Sequence, residues 1–334
     1  MALLPGEGEE PEMSMMVNEK EVLRRTGKEV IHDFLSSKTL YDMMRQSGKL
    51  VFFDTNIPIQ LAFYALLEHD MPAAPLWDSV SRRFVGLLSV TDFIDILRHY
   101  HRRGIPMDEL SARNIGEVIS DVDGRRMQHS DFLGTDVSTS IHQACTVLRA
   151  RHHRFLPVIP PDGTRVLAIA SYYEVLRYLV DNFREQRRLF EDSIADLGIG
   201  TFGEEVLTVR KTAVLSDVLD AMEARDVSAV PVVDESDRVV GLYSRSDITF
   251  LATATDADSV LSNLRVTLQQ ILEQKPTEDV PRDRLETCSV HASLQSIFER
   301  FAEVGFHRLV CVDDERRCLG IVSARDLILY FCGQ

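Results

Sequence analysis

Val230-Pro231-Val232-Val233-Asp234-Glu235-Ser236-Asp237-Arg238-Val239-Val240-Gly241-Leu242-Tyr243-Ser244-Arg245-Ser246-Asp247 decides the fold of this 334-residue chain. A β-branched apolar run meets a polar turn, and a second apolar run carrying Gly241 follows. Two short buried strands joined by a tight connection give this pattern. Asp247, three residues after Ser244, then stands where a helix begins, a position that favours an acid.

The same stretch is written four times. Ala74-Pro75-Leu76-Trp77-Asp78, Leu156-Pro157-Val158-Ile159 and Leu309-Val310-Cys311-Val312-Asp313 repeat the first strand. Phe84-Val85-Gly86-Leu87-Leu88, Val166-Leu167-Ala168-Ile169 and Leu319-Gly320-Ile321-Val322 repeat the second. An acid follows each: Asp92, Glu174, Asp247 and Asp326 lie three residues after Ser89, Ser171, Ser244 and Ser323. From the strand Pro, or Val310 in its place, the acid lies 17 residues on in the first two copies and 16 in the last two. A fixed period of this kind is the signature of repeated supersecondary units.

Upstream of each copy, apolar residues at three- and four-residue spacing predict a helix: Ile59 to Leu67, Ile141 to Leu148, Val214 to Met222 and Leu294 to Phe301. Each helix follows a strand-like start, so the unit is strand, helix, strand, strand, helix, an α/β (α+β) architecture. One unit cannot cover both faces of its sheet, so neighbours should pair. The repeats are placed at residues 48–103, 130–184, 196–256 and 277–332, and the charged stretch Asp181 to Glu191 divides the two pairs. Residues 19–47 read as an N-terminal helical segment. Residues 1–18, polar and poor in aromatics, read as disordered.

Composition narrows the function. A net charge of −15 argues against wholesale nucleic-acid binding, although it permits a local basic pocket. The longest apolar run, Leu61 to Leu67, is far short of the roughly 20 residues of a membrane helix, so no membrane partner is expected. The N-terminus lacks the basic and apolar regions of a secretory signal. Cys145, Cys288, Cys311, Cys318 and Cys332 form no paired framework, which fits a cytoplasmic or nuclear location with reduced thiols. His99 and His101, two apart on a helix, face different directions and make poor metal ligands. No phosphate-binding loop or nucleophile elbow is present, and catalysis is not expected.

A strand-helix-strand-strand-helix unit closing in Gly-x-x-Ser-x-x-Asp resembles the CBS motif, and two adjacent copies resemble a Bateman module. Four copies resemble the γ subunit family of AMP-activated protein kinase. Ala73-Ala74-Pro75-Leu76-Trp77-Asp78, Thr91-Asp92-Phe93-Ile94-Asp95-Ile96-Leu97, Asp196-Leu197-Gly198-Ile199-Gly200-Thr201, Val227-Ser228-Ala229-Val230-Pro231 and His307-Arg308-Leu309-Val310 carry the likeness, as does Phe34 to Asp42. It extends from about Val30 to Tyr330. The resemblance implies a flat disk of two Bateman modules that binds AMP, ADP or ATP in clefts between repeats, with no other cofactor. It also implies a non-catalytic role in a heterotrimer with a kinase α catalytic subunit and a β scaffold subunit, the latter adding strands beside Lys49 to Phe53.

An ionised carboxylate can accept both hydroxyls of a ribose, which makes Asp92, Asp247 and Asp326 the candidate ribose ligands, with Glu174 in the equivalent place. Capping of the helix is the plainer role for each. Phosphates need cations: His153, Arg154, His307 and Arg308 match the family's phosphate-contacting His-Arg pair, and Arg245, Ser323 and Arg325 lie in the Ser-x-x-Asp segments. Thr91, Thr201, Val206 and Ser228 are the candidates on the adenine side. Three departures from the family stand out. Pro72 occupies an Arg position, Tyr173-Glu174 replaces Lys-Arg, and Phe155 adds one residue between Arg154 and Leu156-Pro157. The first two remove cations from the phosphate region. They leave two expectations open, an energy-sensing γ subunit and a γ-like scaffold whose nucleotide response is reduced or lost.

Overall fold

The computed structural model describes residues 10–44, 50–69, 71–105, 107–122, 132, 134–150, 154–183, 191–245, 247, 264–274, 285–304 and 308–333. The chain opens with α1 (Glu10–Ser37) and α2 (Leu40–Met43). Residues 10–18, expected to lack structure, therefore belong to α1. Pro11 suits a first helical turn, and the Glu, Met and Lys that follow favour a helix despite their polarity.

Repeat 1 consists of β1 (Phe53–Asp54), α3 (Ile59–Glu68), β2 (Ala73–Asp78), β3 (Arg83–Ser89) and α4 (Val90–Arg102). Then come α5 (Met107–Ala112) and α6 (Ile115–Asp121). Repeat 2 is β4 (Thr135–Asp136), α7 (Ile141–Ala150), β5 (Leu156–Ile159), β6 (Ala168–Ala170) and α8 (Tyr172–Asn182). The short β7 (Thr201–Phe202) leads into repeat 3: β8 (Val209–Arg210), α9 (Leu215–Ala224), β9 (Ala229–Val233) and β10 (Val239–Ser244). Most of the helix expected after β10 lies outside the described residues. After α10 (Leu268–Gln274), repeat 4 supplies β11 (Thr287–Cys288), α11 (Leu294–Val304), β12 (Arg308–Val312), β13 (Cys318–Ser323) and α12 (Ala324–Cys332).

Each repeat folds its strands alike: the first pairs parallel with the second, and the second pairs antiparallel with the third. In repeat 4, β7 adds a fourth strand against β13. Phe202 of that strand lies where a Cβ on Gly320 would have to sit, so the glycine is what lets β7 dock.

A reciprocal exchange defines the pairs. The segment before repeat 1 docks on repeat 2, where Leu40 N–H donates to Thr139 O and Ile141 N–H to Lys38 O, both at 2.9 Å. The segment before repeat 2 docks on repeat 1 through Ile115 N–H to Ile57 O and Ile59 N–H to Arg113 O, both at 3.0 Å. Repeats 3 and 4 exchange in the same way, through Leu268 with Ala213 and Leu294 with Asp192. The apolar residues at these crossings, Leu40, Ile141, Ile115, Ile59, Leu268 and Leu294, are all buried.

Helices join across the pairs. One core combines α1 and repeats 2 and 4 around Leu35, Leu148, Leu176, Leu294 and Leu327, and a second combines repeats 1 and 3 around Leu66, Ile94, Leu219 and Tyr243. A smaller apolar layer, with Val233, Leu242 and Val310, joins the sheets of repeats 3 and 4. All five cysteines are free thiols, and they approach one another in places. Cys288 and Cys311 lie 3.5 Å apart on neighbouring strands, and Cys145 meets Cys332. No helix among the described residues is long and apolar enough to cross a membrane.

Candidate functional site

The Ser-x-x-Asp segments end the third strand of a repeat and start its last helix. Ser89 N–H and Oγ–H both donate to Asp92 Oδ2, at 2.6 and 2.7 Å, and Asp92 N–H returns to Ser89 Oγ at 3.3 Å. Ser323 and Asp326 form the same box at 2.8, 2.7 and 3.4 Å. Ser244 N–H donates to Asp247 Oδ2 at 2.7 Å. In repeat 2 only the forward half exists: Glu174 N–H donates to Ser171 Oγ at 3.3 Å. The longer Glu side chain leaves its carboxylate out of the cap.

Capping and ligand binding are therefore compatible in these acids. One oxygen of Asp92 and of Asp326 is occupied by its serine, and the other makes no hydrogen bond among the described residues. The cap fixes the carboxylate, and the spare oxygen is the part a ligand could use.

The four acids sit in different surroundings. Asp92 is half-buried, and loss of hydration pushes its carboxyl up to about 6 against the pull of Ser89; Asp95 adds to the rise, and Arg154 opposes it. Asp247 is only 8% exposed. Asp326 and Glu174 are half-buried.

Three of the predicted cations converge from three repeats. Arg154, just before β5, is brought down to about 10 first by burial and then by Arg245 and Arg308, while Asp226 and Asp92 hold it up. Neighbouring like charges disfavour the charged form in this way. Arg245 is 5% exposed, and its Nε is buried without a hydrogen-bond partner among the described residues. Its backbone N–H donates to Ser228 O at 3.0 Å, and Arg308 donates from Nη2 to Ser228 Oγ at 2.8 Å. Ser228, predicted on the adenine side, thus stands between two of the arginines. The extra residue Phe155 does not keep Arg154 from this centre.

Other predicted residues stand apart. Arg325 is exposed on the first turn of α12, where its charge acts on Tyr172 of repeat 2. Thr201 pairs with Ile321 in the sheet of repeat 4. Val206 closes a single 3-10 turn, its N–H donating to Gly203 O at 3.2 Å. Thr91 is half-buried in the first turn of α4. His153 and His307 lie outside the described residues, as does Lys49 of the expected strand-adding edge; Phe53 of that stretch is in β1, at the edge of its sheet.

Two carboxylates at the centre escaped the sequence reading. Asp226 acts electrostatically on Arg154 from a left-handed turn at φ 50°, between α9 and Ser228. Asp95, one helical turn after Asp92, places Oδ2 3.8 Å from Nη1 of Arg245. The turn spacing along α4 was visible, but its meeting with repeat 3 was not. Tyr243, buried beside Asp247 and Arg245, has its phenol pushed up by loss of hydration and by Asp247, and its hydroxyl has no partner among the described residues. Among the described residues no cluster of His, Cys, Asp and Glu could hold a metal ion.

Comparison with known proteins adds an independent measure. The CBS domain family matches residues 119–181, 201–252 and 278–333, about half of the chain and most of its second, third and fourth units. The γ-3 subunit of 5'-AMP-activated protein kinase from Homo sapiens is 35% identical over 310 residues, 92% of this chain and 61% of that protein. The γ subunit from Dictyostelium discoideum is 31% identical over 321 residues, 94% of this chain and 54% of that protein. The chain therefore spans little more than half the length of these curated relatives. A Methanocaldococcus jannaschii protein, described as a candidate archaeal homologue of the AMPK γ subunit, has a crystal structure with a TM-score of 0.69 at 18% identity, covering 88% of this chain and 100% of that one. At that identity the likeness is one of fold.

Proposed function

The chain belongs to the CBS domain family, and from that premise we propose that it is a nucleotide-sensing regulatory subunit of an AMP-activated-type protein kinase. AMP, ADP and ATP bind in the clefts between repeats, and the chain assembles with a catalytic α and a scaffold β subunit. It does no chemistry itself. The carrying observation is the buried guanidinium of Arg245, its Nε without a hydrogen-bond partner among the described residues, in the field of Arg154 and close to Arg308. A buried donor without an acceptor is costly, and three cations brought together repel one another. An incoming phosphate relieves both costs. The capped carboxylates supply the other half, each offering an oxygen to a ribose. The likeness to AMPK γ subunits over nearly the whole chain supports the adenine nucleotide as ligand and the kinase as partner.

Sensing requires that AMP and ATP differ in affinity for two states of the complex; a coupling of about 1–3 kcal/mol is typical. Calorimetric titration of the native complex with AMP and with ATP tests this. Sensing predicts competition and unequal affinities, and equal affinity at every site would refute it.

A second reading is a γ-like scaffold with reduced or lost nucleotide response. Pro72 and Tyr173 favour it, since both stand where the family carries cations. A complex that assembles but releases no nucleotide on denaturation, and takes up none when titrated, would establish it.

A further inference from the structure

We propose that Asp95 is a specificity residue of the phosphate centre, a fixed negative charge that penalises ligands with more phosphates and so favours AMP over ATP. The inference rests on nucleotide binding at the arginine cluster.

Asp95 lies on α4, one turn beyond the candidate ribose ligand Asp92, so both project from one face of the helix. Its Oδ2 is 3.8 Å from Nη1 of Arg245, and its Oδ1 is 3.9 Å from Nη1 of Arg98. Arg98 is itself satisfied from repeat 3: it pairs with Asp220 and reaches Glu223 Oε2 at 2.6 Å, and Arg102 also binds Asp220 at 2.9 Å. The charge of Arg98 is thus already opposed twice by α9. Among the groups Asp95 acts on are Arg245 in the cluster and Asp92, whose carboxyl it raises.

A carboxylate there does two things. It balances part of the repulsion among Arg154, Arg245 and Arg308 while the site is empty. Once phosphates occupy the centre, it opposes their charge, and the opposition grows with every phosphate added. Charges a few ångströms apart in partly buried surroundings are screened only weakly by salt. Asp95 therefore discriminates by number of charges rather than by contact with adenine or ribose.

The test uses the full chain and Asp95→Asn, which keeps side-chain size and removes the charge. Magnesium-free titrations with AMP, ATP and inorganic tripolyphosphate at fixed ionic strength give three affinities. Tripolyphosphate and ATP should both tighten, and the ratio of ATP to AMP affinity should move towards ATP by about tenfold. Asp95→Glu retains the charge and should keep the wild-type ratio, which a purely structural role would not require. A ratio unmoved by Asp95→Asn, with wild-type binding intact, overturns this inference and leaves the nucleotide reading standing. Tripolyphosphate binding that tightens while AMP fails to bind overturns the nucleotide reading and keeps the charge effect. Wild-type protein that binds none of the three overturns both.

Discussion

Arg308, the first residue of β12, donates from Nη2 to Oγ of Ser228 in the loop before β9, at 2.8 Å and across 80 positions of sequence. The bond ties repeat 4 to repeat 3 and holds the guanidinium where it acts on Arg154. Replacement by Ala should lower AMP affinity by roughly ten- to a hundredfold, the worth of one charge-assisted hydrogen bond of about 1.5–3 kcal/mol. Calorimetry on the purified complex checks this, and an unaltered affinity would place the phosphates elsewhere.

Ser323 and Asp326 share one capping box, so their variants separate the cap from the ligand. Either Ser323→Ala or Asp326→Ala should cost about 1 kcal/mol of stability, as loss of a helix cap does. Asp326→Ala, which removes the carboxylate itself, should weaken nucleotide binding far more than Ser323→Ala, which only loosens the cap that fixes it. Thermal denaturation and titration of the two variants side by side give the answer.

Asp92 makes stability depend on pH in an unusual direction for a carboxylate. Its folded value, about 6, lies above the ordinary 3.8, so its contribution is present below that ordinary value and is lost as pH rises through about 6. Asp92→Asn removes the cost of the buried charge. The melting temperature of the variant relative to wild type should be higher at pH 7.5 than at pH 4, and scans at the two values measure the difference.

Arg98, 7% exposed, joins α4 of repeat 1 to Asp220 and Glu223 of α9 in repeat 3. Loss of Arg98 removes the buried cation of this network and leaves Asp220 and Glu223 with only the exposed Arg102 among the described residues. Arg98→Ala should destabilise the chain by about 2–4 kcal/mol, read as a lower denaturant midpoint. Adding Asp220→Asn and Glu223→Gln to that variant should recover part of the loss.

Gly320 leaves the room that Phe202 fills. Gly320→Ala should overpack this contact and cost about 1–3 kcal/mol, with amide exchange quickening in β7 before the rest of the sheet of repeat 4. Phe202→Ala in the same background should restore part of the stability.

The amino-acid order determined the local elements and their fourfold recurrence. Period-2 and period-3.6 apolar spacing, the Ser-x-x-Asp ends and the constant offset from strand to acid are properties of contiguous residues, and α3, α7, α9 and α11 lie where that spacing put them. It also picked out Asp92, Arg154, Arg245 and Arg308 one by one, through their place in a repeated motif. The pairing of adjacent repeats was expected from the sequence, but tertiary structure alone decided how they cross and how one pair meets the other. The exchange that sends Leu40 to repeat 2 and Leu268 to repeat 3, the joining of repeat 1 to repeat 3 by helices, and the gathering of three arginines with Asp95 and Asp226 depend on faces that meet only after the chain has folded. Burial and mutual charge then set the properties of these groups, and neither is a property of a residue read in isolation.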